Sequence, residues 1–88
     1  MTSLLRPLID EIFYLNDRII CGDVSSPKYA LIKAKTIVSN HKTFLEMADC
    51  KDIFLDVSIS SDGLITLSYS FISAEGWDFK GNNTPRRR

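Results

Sequence analysis

His41 is the only histidine in the chain, and so the first residue to ask about as a general base or a pH-sensitive group. Helical spacing places it among Ile37, Val38 and Leu45 on an apolar stripe. There the expected state is a core ring whose nitrogens bond a backbone carbonyl or a hydroxyl. No serine or cysteine beside it in sequence has the setting of a nucleophile. Cys21 and Cys50 with one histidine cannot form a dedicated zinc site, and no loop has calcium-ligand spacing. The four glycines all read as turns, none as a phosphate-cradling loop. The expectation is a non-enzymatic chain with no metal and no cofactor.

The other chemistry-bearing residues are charged. Lys28, Lys35 and Lys42 recur every seventh residue and align along the outer side of one helix. Arg86, Arg87 and Arg88 end the chain as a basic tail. Together these six cations are a candidate phosphate-tracking surface, with a solvated helix face and a solubilising end as the plainer alternatives. Between Glu46 and Asp78 the balance reverses, with Asp49, Asp52, Asp56, Asp62 and Glu75 opposed only by Lys51. That half suits a basic partner, but its carboxylates are too dispersed for a dense mimic of nucleic acid.

Two helices and a hairpin must position these groups. Leu5, Leu8, Ile9, Ile12, Leu15 and Ile19 give a helical face from Ser3 to Ile20, and Cys21-Gly22 supplies the stop. Ile9, Phe13 and Ile20 widen the apolar arc, so burial on two sides is expected. Ser26-Pro27 opens a second helix running to about Asp49. The period then changes from helical to alternating in Ile53–Ser60 and again in Leu64–Ile72. Joining them by a three-residue Ser61-Asp62-Gly63 loop, with Gly63 left-handed, pairs Ile59 with Ile65, Val57 with Leu67, Leu55 with Tyr69 and Ile53 with Phe71. Only that register puts both apolar sets on one side. Trp77-Asp78-Phe79 can add a short third strand.

The fold class expected is therefore α+β: two helices on one face of a small antiparallel sheet, in two layers. Residues 1–80 form one compact domain, and 81–88 read as a flexible basic tail.

Eighty-eight residues, 44% hydrophobic and 25% charged, fit one small globular unit rather than a disordered chain. A formal charge of zero argues against a strongly basic nucleic-acid binder. No apolar run approaches the roughly 18 residues a membrane span needs. The opening Met-Thr-Ser-Leu-Leu-Arg-Pro lacks the pattern of a secretory signal, and the two cysteines sit at the ends of different helices. Two free thiols in the cytoplasm are expected.

What remains is surface. Phe54 and Ile72, near one end of the hairpin, form a candidate protein-interaction patch with Trp77 and the neighbouring Asp56. Tyr29, Ile32 and Met47, off the main stripe of the second helix, form a second. The strands carry no edge-protecting lysine or proline, so one expectation is edge pairing with another copy or a larger partner; the other is that the segment around Trp77 covers one edge and short length protects the second. In size and make-up the chain resembles the small inhibitors and accessory proteins of phages and mobile elements. The leading expectation is a protein-interaction module that blocks a surface of a larger protein. The alternatives are a nucleic-acid-binding accessory protein and a homodimer that binds a small ligand.

Overall fold

The computed structural model describes residues 4–86. Helix α1 spans Arg6–Ile20 and helix α2 spans Pro27–Met47, followed by strands β1 (Lys51–Ile59), β2 (Ile65–Ile72) and β3 (Asp78–Asn83). The strands form one antiparallel sheet in the order β1-β2-β3. Both helices lie on one face of it, so the expected two-layer α+β arrangement is what the chain adopts.

Helix boundaries follow local chemistry. Ser26 caps α2 by accepting the Tyr29 N–H, and Pro27 follows where a missing N–H costs nothing. At the end of α1, Gly22 has φ +82°, and Asp23 N–H returns to the Arg18 carbonyl at 2.8 Å. This is the Schellman closure that the Cys21-Gly22 pair predicts. α2 ends in the same way, with Cys50 N–H on the Leu45 carbonyl at 3.0 Å. There the left-handed residue is Asp49, at φ 63°, a side chain in the conformation glycine prefers.

The hairpin has the register the alternation requires. Ile59 faces Ile65, Val57 faces Leu67 and Leu55 faces Tyr69, with Gly63 at φ +83° in the loop. The expected Ile53–Phe71 pair is not part of this ladder. Beyond Phe54↔Ser70 the register shifts by one residue to Lys51↔Ile72, and Asp52 takes φ 52° at the shift. A bulge here absorbs an extra residue where β1 leaves the helix terminus.

The third strand is longer than the sequence indicates. β3 continues through Gly81 to Asn83, and Pro85 is buried beyond it, so residues 81–86 belong to the domain and not to a tail. The glycine there is not a turn. A Cβ on Gly81 would lie 2.6 Å from the Tyr69 hydroxyl oxygen, because the Tyr69 side chain crosses the strand at that point. Arg87 and Arg88 lie outside the described residues.

The core sits between the helices and the inner sheet face, with Leu8, Ile12, Ala30, Ala34, Leu45, Ile65, Leu67 and Phe71 essentially sealed from water. Phe71 and Phe79 stack across β2 and β3 with centroids 4.9 Å apart. α1 is covered by the sheet and by α2, but its apolar arc is not fully used. Ile9 and Phe13 are half-buried, and Ile20, in the last turn, stays 53% exposed.

Asn16 joins the layers. It is completely buried on α1, its Nδ2 donates to the carbonyls of Ile65 (3.0 Å) and Pro85 (2.7 Å), and its Oδ1 accepts the Ile65 N–H at 2.7 Å. By the β2–β3 register, position 85 would pair with Ile65, and a proline there has no N–H to give. The asparagine amide supplies what the ladder loses.

Candidate functional site

His41 is 7% exposed, and its Nε2 donates to the Leu4 carbonyl at 2.7 Å. Its ring leans on Phe44 with centroids 5.1 Å apart. The residue ties the chain entering α1 to the middle of α2, and it lines a groove with Pro7, Glu11, Asn40 and Phe44. Among the described residues, no group of three or more His, Cys, Asp or Glu could hold a metal ion. Cys21 is exposed and Cys50 buried, and both are free thiols. Burial first, then the carboxylates of Glu75 and Asp49, push the Cys50 thiol above its ordinary value and keep it protonated.

The sheet presents an outer face with no helix on it. Rows across it run Phe54–Ser70–Lys80 and Asp56–Ser68–Asn82, followed by Ser58–Thr66, where Thr66 Oγ1 meets Thr84 Oγ1 at 2.7 Å. Phe54 is 54% exposed and borders a shallow depression of about 330 Å³ with Ser68, Ser70, Lys80 and Asn82. Ile72 is half-buried near the same end, beside Lys51 and Asp78. Asp56 is exposed one row along from Phe54.

Trp77 does not join them. It is 69% exposed and lines a separate cavity of about 500 Å³ with Leu4, Ala48, Glu75 and Phe79, on the helix side of the sheet. The reason is parity: Asp78 pairs with Ile72 on the outer face, so the residues on either side of it point the other way. The Trp77 backbone is held in the turn by Ser73, whose Oγ accepts its N–H at 3.1 Å.

The second expected patch also separates. Tyr29, Ile32 and Met47 are all exposed on the solvent side of α2, but Met47 lies roughly 27 Å along the axis from Tyr29. Tyr29 is engaged with Lys33, whose Nζ sits 5.8 Å from the ring centroid. They are dispersed exposed side chains.

Lys28, Lys35 and Lys42 are exposed, and no ion pair engages them among the described residues. Their place follows from the layers. α2 packs chiefly on β1 and α1 on β2. The α2 flank nearest α1 carries Lys33, Ile37, Asn40 and Phe44, which share grooves with α1 residues. The lysine row occupies the opposite flank and looks out past β1. Arg86 is elsewhere, at the hairpin loop, where its Nη1 pairs with Asp62 Oδ2 at 2.7 Å. The Ser60 hydroxyl also donates to Asp62, and this hydrogen bond is the main cause holding the Asp62 carboxyl below its ordinary value. The structure therefore divides the six expected cations: three form a row along α2, one closes a loop, and two lie outside the described residues.

The feature that side-chain types left open is the state of the sheet edge. Ser60 N–H donates to the Leu64 carbonyl at 2.8 Å, which sets the phase of the β1–β2 ladder. Antiparallel pairs alternate, so Ser58, Asp56 and Phe54 direct their N–H and C=O groups to β2, while Ile59, Val57 and Leu55 direct theirs away. Among the described residues nothing pairs with that outer edge of the nine-residue β1. No described helix is long and apolar enough to cross a membrane. The chain matches no protein-family model, no curated protein and no solved structure.

Proposed function

We propose that this chain is a small non-enzymatic protein-interaction module that occupies a surface of a larger protein through β1. The observation that carries this reading is the outer edge of β1, regular from Phe54 to Ile59 beyond the bulge and without a pairing strand among the described residues. Unpaired backbone donors and acceptors in a row are a template for another strand; the bulge and Lys51 blunt only the start of β1, and Phe54–Ile59 carries neither lysine nor proline. Phe54 and Asp56 on the adjoining outer face would give the contact its side-chain selectivity. Two unbridged thiols suit a cytoplasmic setting.

The test is affinity capture from native cells, with nuclease, using the wild type, Leu55→Ala and Leu55→Pro. Both variants lose the same packing, but only proline removes the outward N–H and adds a ring at the edge. The same near-stoichiometric protein should come down with the wild type and Leu55→Ala and be absent with Leu55→Pro. Equal capture by all three would put the working surface elsewhere. A second reading, nucleic-acid binding, is favoured by the unpaired row of Lys28, Lys35 and Lys42. It requires recovery that disappears with nuclease and weakens steeply with salt.

A further inference from the structure

Resting on the interaction reading, we infer that the outer edge of β1 takes an extended acidic segment of a partner protein as an added strand. The segment's helix-side carboxylates meet Lys28, Lys35 and Lys42. Two features that the sequence presents separately, the open strand edge of Phe54–Ile59 and a lysine row, are brought side by side by the fold. α2 packs chiefly on β1, and the lysine row, about 21 Å long, is matched in length to the regular edge of Phe54–Ile59, about 20 Å.

A strand added to β1 would lie about 4.8 Å beyond it, with side chains alternating between the two faces. Those on the helix side rise into the space flanking α2, where the lysines project. Those on the other side fall beside Phe54, Asp56 and Ser58. The lysines repeat at roughly 10.5 Å and same-face strand residues at about 6.7 Å, a mismatch that long, flexible lysine side chains span. The recognised pattern is therefore acidic at alternate positions, with apolar or polar residues between them. Glu46, Asp49 and Asp52 make the α2–β1 junction acidic, which places the ligand's carboxylates over the Lys28–Lys42 stretch.

The same charges argue against the other occupants. A second copy pairing through this edge about a two-fold axis would bring its own α2 alongside and set two lysine rows face to face. Centred on Asp56, that pairing would also oppose two aspartates directly. A nucleic acid would satisfy the lysines but not the alternating donors and acceptors of Leu55, Val57 and Ile59.

Fluorescence anisotropy with three labelled probes tests this: a capped nine-residue peptide alternating valine and glutamate, its counterpart with lysine for glutamate, and oligo-dT. The protein forms are the wild type, Leu55→Ala, Leu55→Pro and the triple variant Lys28→Glu/Lys35→Glu/Lys42→Glu, each checked for folding by circular dichroism. If Leu55→Pro does not fold, Ile59→Pro against Ile59→Ala replaces the pair, since Ile59 is already 39% exposed. The acidic peptide should bind the wild type and Leu55→Ala alike, lose about tenfold or more on the triple variant, and fail on Leu55→Pro. The lysine peptide should not bind.

Absent binding of the acidic peptide, or binding indifferent to proline, overturns the inference. So does a dimer in sedimentation that only Leu55→Pro dissolves, which would give the edge to a second copy. Oligo-dT binding that needs the lysines but ignores proline would give the row to nucleic acid. The capture experiment stands apart from all of these, because it reports whether a partner needs the β1 edge whatever that partner's charge.

Discussion

Replacing Asn16 with alanine removes an amide that three backbone groups depend on. Its Nδ2 serves the Ile65 and Pro85 carbonyls, its Oδ1 serves the Ile65 N–H, and both Asn16 and Ile65 are completely buried. A buried backbone group left without a partner costs about 1–3 kcal/mol, and adjustment or an admitted water recovers part of that. The expected loss is about 4 kcal/mol, a large fraction of the roughly 5–15 kcal/mol that holds a small domain together. Urea unfolding followed by circular dichroism measures it as a fall in the midpoint at unchanged slope. Asn16→Asp sharpens the test. Its carboxylate can still accept the Ile65 N–H but confronts two carbonyls, so it must bind a proton or break the layer contact. Its folded-state pKa is thereby raised above the unfolded value, and its stability falls as the pH climbs through the carboxylate range and beyond. A loss under about 1 kcal/mol for Asn16→Ala, or wild-type behaviour for Asn16→Asp at neutral pH, would refute the reasoning.

The remaining expectations concern single sites. Asp49→Gly should stabilise the protein by about 1 kcal/mol in the same urea assay, because it relieves a left-handed side chain and removes a negative charge from a helix C-terminus. Alkylation followed by mass spectrometry should label exposed Cys21 readily and buried Cys50 only on unfolding, since a raised thiol pKa leaves little thiolate. Asp62→Asn should lower stability at neutral pH. Because the folded carboxyl is held below its ordinary value of 3.8, the wild type's advantage is present above that value and disappears as pH falls through the depressed one. Thermal melts of the two proteins across that range should converge at the acid end.

Periodicity and turn chemistry made most of the fold legible. The helical face of α1, the Ser26-Pro27 start of α2, and the hairpin register set by Gly63 each follow from a few residues whose alternatives fail on burial. The failures have a common origin in long-range contact. Gly81-Asn82-Asn83 has no strand signature of its own; it is held by pairing with Leu67–Tyr69 and by the Tyr69 side chain lying over Gly81. Asn16 is a polar residue inside the apolar arc of α1, between Ile9 and Ile12 in helical angle, but what it serves appears only when Pro85 comes to face Ile65. Of the expected surface, Phe54 and Asp56 lie together as their alternation indicates. Trp77 was displaced by the parity of a strand whose register the sequence did not fix. The relation of the lysine row to the β1 edge depends on which helix covers which strand, and that is decided by packing.

The most direct measurement of the central claim is amide hydrogen exchange, by nuclear magnetic resonance, on the free protein and on its complex with the captured partner. In the free chain, Phe54, Asp56 and Ser58, whose N–H groups bond β2, should exchange slowly, and Leu55, Val57 and Ile59 should exchange quickly. Adding the partner should slow the second set and leave the first unchanged. Outward amides that stay fast in a saturated complex would contradict the account.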